Sequence, residues 1–234
     1  MIYSAVRNAA GNLFGKGEVN MKENLTELVF ILDKSGSMHG LEADTIGGFN
    51  SLIEKQKKED GKALVTTILF DDKTEVVHDR VDLEYIRNMT SEQYITGGTT
   101  ALLDAVGGAV SHIRKIHKYI RPEDVPAKTL FVITTDGMEN ASRRYTYEKV
   151  KKLIEHQKAK YGWEFIFLGA NIDAAETAVS MGISRDRAAD YISDRAGTAL
   201  NYSVISEITS AVRSGKGISA DWKKRISADK NGRK

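Results

Sequence analysis

The sequence carries three short segments whose side chains end in oxygen and whose spacing suits a metal ion. The first, Asp33-Lys34-Ser35-Gly36-Ser37, places one carboxylate and two hydroxyl groups in a turn that Gly36 allows to be tight. The second and third segments are Gly97-Gly98-Thr99-Thr100 and Thr134-Thr135-Asp136-Gly137. Ligation by oxygen alone is typical of a hard divalent cation that keeps part of its water shell, above all Mg²⁺ or Mn²⁺.

Each segment stands at the end of a predicted strand or at the start of a predicted helix. Apolar runs without alternation cover residues 28–32, 64–70, 129–134 and 165–168, a pattern typical of parallel strands buried on both faces. Residues 73–81 mix valines with charges and predict a partly exposed edge strand in a hairpin. Apolar positions at helical spacing occupy the stretches between the strands, most regularly over residues 102–116.

This alternation of strands and helices predicts an α/β fold with a doubly wound, mostly parallel sheet, helices on both faces and one antiparallel edge strand. We place this Rossmann-like domain at residues 25–213. In such folds, ligands bind beyond the carboxyl ends of the strands, at the point where the strand order reverses. The three polar segments are therefore expected to meet at one edge of the sheet.

The two ends of the chain differ in character from the predicted domain. Residues 1–24 hold scattered apolar side chains without a continuous hydrophobic stretch, and we expect a flexible leader there. Residues 214–234 contain seven Lys and Arg against two Asp, which favours a solvated, frayed basic tail over a contact with an acidic partner or a nucleic acid.

The three polar segments, in this order and spacing, resemble the metal-ion-dependent adhesion site (MIDAS) of the von Willebrand factor A domain. The resemblance covers nearly the whole chain after Asn24. It implies that serine and threonine hydroxyls bind the ion directly or nearly so, while the carboxylates often act through water. Carried over residue by residue, it assigns as metal ligands Asp33, Ser35, Ser37, Thr100 and Asp136, with Thr99 as the alternative threonine and otherwise a candidate helix N-cap.

The resemblance also implies what such a site does. An ion held by neutral hydroxyls, with its two carboxylates acting through water, is under-neutralised, and its remaining coordination position attracts an acidic residue of a protein partner. The expected protein is therefore a binding module of the kind that serves as an adaptor or regulatory subunit. Lys34 either adds positive charge beside the site or points to solvent.

Composition argues against several other classes. With 34 Lys and Arg against 32 Asp and Glu, the chain lacks the overall field of a general nucleic-acid binder. It has no cysteine, hence no disulfide, thiolate metal site or cysteine nucleophile, and this fits a cytoplasmic location. Its apolar runs are far shorter than the roughly 20 residues of a membrane helix, so no membrane partner is expected.

Two alternatives to a metal-dependent binding module stay open. A Mg²⁺-dependent phosphohydrolase of the haloacid dehalogenase type also places an aspartate after its first strand, but it needs a second carboxylate where Ser35 stands. Neither a serine-hydrolase elbow in register nor a zinc-binding histidine spacing occurs, so we expect no enzymatic activity. The other alternative is a metal-free interaction domain, in which the same side chains only cap helices and turns.

Overall fold

The computed structural model describes residues 22–233. The expected leader, residues 1–24, lies outside the described residues except for its last three, which begin the first strand. The described part of the chain forms one sheet from the strands β1 (Lys22–Asp33), β2 (Lys62–Phe70), β3 (Thr74–Asp82), β4 (Pro126–Asp136), β5 (Glu164–Ala170) and β6 (Ala188–Asp190). The accompanying α-helices are α1 (Glu42–Gln56), α2 (Leu102–Tyr119), α3 (Tyr147–Tyr161), α4 (Ala174–Ser180), α5 (Arg195–Arg213) and α6 (Lys224–Gly232).

The strands lie in the order β3-β2-β1-β4-β5-β6. Neighbouring strands pair in parallel except β3, which runs antiparallel to β2 at the edge. This topology confirms the predicted doubly wound, mostly parallel sheet with one antiparallel edge strand. The chain moves from β1 outward to β2 and β3, and then returns to place β4 on the other side of β1. The strand order therefore reverses between β1 and β4, where the first and third polar segments leave the sheet.

Both faces of the sheet are covered by helices, which explains why the apolar runs do not alternate. Successive residues of a strand point to opposite faces. Phe30 and Leu32 of β1 pack with α1 and α5, whereas Val29 and Ile31 pack with α2, α3 and α4. None of the helices within residues 22–233 combines the length and the apolar character needed to cross a membrane.

Close packing of α2 depends on one of its two adjacent glycines. A Cβ added to Gly107 would lie 2.3 Å from the ring of Tyr145, so the absence of a side chain lets that ring rest on the helix. At Gly108, nothing lies within 4 Å of the corresponding position. The two neighbours thus face different surroundings, one packed and one open.

The end of the chain differs from the expected frayed tail. Residues 224–232 form α6, and the side chains of Trp222 and Ile226 are buried against the face that α1 and α5 cover. The indole Nε1 of Trp222 donates a hydrogen bond to the carbonyl of Asp186 at 2.7 Å. Basic side chains of the segment add polar contacts: Nζ of Lys223 donates to the carbonyls of Arg185 and Ala188 at 2.7 and 2.8 Å.

Candidate metal site

Asp33 is the last residue of β1 and is almost fully buried, at 1% exposure. Its Oδ1 accepts a hydrogen bond from the N–H of Ser35 at 2.7 Å; its Oδ2 accepts from Oγ1 of Thr135 at 2.6 Å and from the N–H of Asp136 at 3.2 Å. Burial raises the pKa of the Asp33 carboxyl, and the hydrogen bonds partly counteract that rise because they favour the charged form. The Asp33 side chain thereby links the carboxyl ends of β1 and β4 through hydrogen bonds.

The turn after β1 brings two serine hydroxyls together. Oγ of Ser35 lies 3.0 Å from Oγ of Ser37, with Ser35 buried and Ser37 exposed. Two backbone hydrogen bonds, 2.9 and 3.2 Å long, tie this turn to residues 97–98. The first polar segment is therefore fixed directly to the second.

Thr100 brings a third hydroxyl to the same place. A Cβ added to Gly137 would lie 3.3 Å from Oγ of Ser37 and 3.4 Å from Oγ1 of Thr100, so both hydroxyl groups face the backbone of Gly137. Thr100 is buried, and its N–H donates to Oδ1 of Asn140 at 2.9 Å while its carbonyl accepts from the N–H of Asn140 at 3.0 Å. The glycine keeps open a space between the hydroxyls that a larger side chain would enter.

Thr99, the alternative threonine, is exposed. Helix α2 begins at Leu102 with Ala101 as its N-cap residue, so the N-cap role considered for Thr99 is wrong. The loop after β4 caps α2 instead: a carboxylate oxygen of Glu139 accepts from the N–H of Leu103 at 2.8 Å. That contact holds the loop that follows the third polar segment against α2, the helix that follows the second.

Asp136 ends β4 and is buried at 2% exposure. Its Oδ1 accepts a hydrogen bond from the side-chain amide of Asn171, and its Oδ2 accepts one from the hydroxyl of Ser193. Asn171 directly follows β5, and Ser193 lies in the loop between β6 and α5. Neither residue was singled out from the sequence.

The structure therefore brings all five residues assigned from the sequence to the carboxyl edge of the sheet beside the β1–β4 boundary.

The side chain of Lys34 matches neither of the two positions expected for it. Its Nζ lies 3.1 Å from a carboxylate oxygen of Glu75 and 3.8 Å from one of Asp71, and its side chain is only 15% exposed. Its charge is thus matched by acidic side chains and is neither free beside the site nor in open solvent.

The chemistry of the donors fits a hard divalent cation. Two buried carboxylates and three hydroxyls supply oxygen alone, and the missing Cβ of Gly137 leaves room beside the hydroxyls. Within residues 22–233, no group of three or more His, Cys, Asp or Glu side chains is placed to hold a metal ion. A cation at this edge would consequently depend on serine and threonine oxygens as well as on the two carboxylates.

This sheet, with its helices on both faces and its β1–β4 boundary, is the von Willebrand factor A fold. The vWF domain of the type V pili tip protein Mfa5 from Porphyromonas gingivalis matches with a TM-score of 0.59 and 10% identity, over 84% of this chain and 98% of that chain. A von Willebrand factor type A structure from Catenulispora acidiphila gives a TM-score of 0.55 and 16% identity, over 81% of this chain and 43% of that chain.

A third similar structure holds a metal. Proximal thread matrix protein 1 from the mussel byssus, with a zinc-occupied MIDAS motif, gives a TM-score of 0.51 and 12% identity, over 82% of this chain and 47% of that chain. The chain spans less than half of the mussel and Catenulispora chains. No protein-family model matches the chain, and the search of curated proteins gave no match. The likeness at these identities establishes the fold.

Proposed function

We propose that this protein is a binding module that presents Mg²⁺ or Mn²⁺ to an acidic residue of a partner protein, in an adaptor or regulatory role. The observation that carries the proposal is the convergence of three hydroxyls and two buried carboxylates where the strand order reverses. The von Willebrand factor A fold supports it. The zinc-occupied MIDAS motif of the mussel protein supports metal binding by this type of site.

The proposal gives each side chain a role. The hydroxyls of Ser35, Ser37 and Thr100 hold the ion, and Asp33 and Asp136 provide negative charge, directly or through water. The ion supplies a positive centre with a coordination position for an incoming carboxylate oxygen. Both carboxylates already accept hydrogen bonds from neighbouring residues, so the site is preorganised and little side-chain freedom is lost on binding.

We propose no enzymatic activity. A phosphohydrolase of the haloacid dehalogenase type requires a general acid/base carboxylate at the position of Ser35, which here is buried with its hydroxyl beside that of Ser37. Incubation with a generic aryl phosphate and Mg²⁺ should release no product above the buffer rate. Turnover by the wild type that disappears in Asp33→Ala would reverse this conclusion.

Metal binding is tested by calorimetric titration of the full chain with Mg²⁺ and with Mn²⁺. We expect binding by the wild type and its loss in Asp33→Ala with the circular dichroism spectrum retained. The matched control is Asp79→Ala, which removes a carboxylate that is 52% exposed on β3 and pairs with His112. Equal binding by all three proteins would exclude the proposed site.

The partner is tested by capture from an extract of the source cells, in parallel with Mg²⁺ and with EDTA. We expect a protein that wild type retains in Mg²⁺ and loses in EDTA, and that Ser37→Ala fails to retain. Ser91→Ala, at an exposed serine outside the three polar segments, serves as the control and should retain it. Retention that neither EDTA nor Ser37→Ala affects would support the alternative of a metal-free interaction domain.

We also propose a cytoplasmic location, which the cysteine-free sequence favours and cell fractionation can check.

A further inference from the structure

Asp136 is held by side chains from two loops outside the three polar segments. The amide of Asn171 donates to its Oδ1, and the hydroxyl of Ser193 donates to its Oδ2. These donors come from the ends of β5 and β6, so the carboxylate is fixed from the side of the sheet opposite to β1. Each carboxylate oxygen has two lone pairs, and one on each oxygen therefore stays available to an ion or its water.

The backbone of Asn171 is adapted to this contact. Its φ angle is +55°, in the left-handed region that side chains other than glycine rarely adopt and that asparagine tolerates better than most. The turn reverses the chain directly after β5, and it leaves the short amide side chain beside Asp136. An exposed residue is thus kept in an uncommon conformation next to the site.

We infer that Asn171 and Ser193 are positioning residues of the metal site, which orient the Asp136 carboxylate and thereby set the affinity for the divalent cation. This inference rests on the proposed function. Both donors are neutral, so they orient Asp136 without cancelling its charge, whereas a Lys or Arg in either place would compete with the ion. Groups that orient a metal-binding carboxylate typically contribute about 10- to 100-fold to affinity.

The substitutions that test the inference remove a hydrogen-bond donor to Asp136 without changing the backbone conformation. Asn171→Gly removes the amide and leaves the backbone conformation accessible, because glycine adopts a positive φ without steric strain. Ser193→Ala removes the hydroxyl, whereas Ser193→Thr retains a hydroxyl donor. Because the two donors stand on different loops, misfolding of one variant leaves the other as a valid test.

The measurement is the Kd for Mn²⁺, from the electron paramagnetic resonance signal of the free ion, on the full chain, with thermal unfolding in EDTA in parallel. We expect Asn171→Gly and Ser193→Ala each to weaken binding by about tenfold or more while the protein remains folded in EDTA at the temperature of the measurement, and Ser193→Thr to restore binding. Wild-type affinity in both Asn171→Gly and Ser193→Ala would overturn this inference alone. A wild-type protein that does not bind Mn²⁺ would overturn the proposed function, and the inference with it.

Discussion

Substitution of Asp33 by asparagine separates the structural role of this side chain from its role toward a cation. Three donors converge on the carboxylate: the N–H groups of Ser35 and Asp136 and the hydroxyl of Thr135. An asparagine has one oxygen and must turn its NH₂ group toward one of the two backbone N–H groups, leaving that donor unpaired. The unpaired buried donor costs about 1–3 kcal/mol, and removal of a charge whose burial raises its pKa offsets part of that cost.

The response of the unfolding temperature to Mg²⁺ is what separates the variant from wild type. A ligand that binds only the folded state at roughly 100 times its Kd stabilises that state by about 2.7 kcal/mol. For a domain of this size, that corresponds to a rise in melting temperature of about 5–11 °C. We expect wild type to show this rise on MgCl₂ titration and Asp33→Asn to show none, with Asp79→Asn as the control that behaves like wild type.

The assay is thermal unfolding followed by circular dichroism, in EDTA and at increasing Mg²⁺. A Mg²⁺-dependent rise in Asp33→Asn equal to that of wild type would refute a role of the Asp33 charge in binding the ion. A variant that is already unfolded in EDTA would refute the hydrogen-bond argument, because the loss would exceed what one unpaired donor costs.

Three further predictions follow from the packing and the site. Thr100→Ala should weaken Mn²⁺ binding in calorimetry by about tenfold or more, because the Thr100 hydroxyl faces Gly137. The control is Thr99→Ala, which should leave binding unchanged because Thr99 is exposed. Equal effects of the two substitutions would contradict the assignment of Thr100. Trp222→Ala should lower the free energy of unfolding in urea by about 3 kcal/mol, and no loss would mean that the end of the chain does not pack as described. Gly107→Ala should cost about 1–3 kcal/mol in the same urea assay because its Cβ would meet Tyr145. Gly108→Ala should instead stabilise the helix by up to about 1 kcal/mol; the same sign for both glycine variants would refute this argument.

The central strands could be predicted because a strand that is buried on both faces requires a continuous run of apolar residues. Residues 28–32 and 129–134 lie within β1 and β4, although both strands extend further. Strand β6 has only three residues, too few to produce a pattern. Helix α6 was not predicted because Trp222 and Ile226 are the two buried apolar side chains of this segment, too few to give a helical pattern, and the charges around them are equally typical of a solvated tail.

The residues of the candidate site divide in the same way. Asp33, Ser35 and Ser37 are neighbours in sequence, so their spacing alone indicated that they belong to one site. The contacts of Asp136 with Asn171 and Ser193 join residues 35 and 57 positions apart, and no local pattern marks them. Asn171 could have been found by the same logic as Asp33, since it is the polar residue that follows the apolar run of β5. Ser193 could not, because it follows a strand that the sequence did not reveal.

The pairing of Lys34 with Glu75 has a consequence for how a partner would approach. With that cation already matched, the edge of the sheet around Asp33 and Asp136 presents carboxylates, and an incoming Asp or Glu side chain would meet electrostatic repulsion. Arrival of a dication would balance the charge of the two carboxylates, so that the repulsion is removed and the approaching side chain can reach the coordination position of the ion. The concentration of free metal would then govern the rate of encounter as well as the lifetime of the complex, because both the approach and the final contact depend on the bound ion.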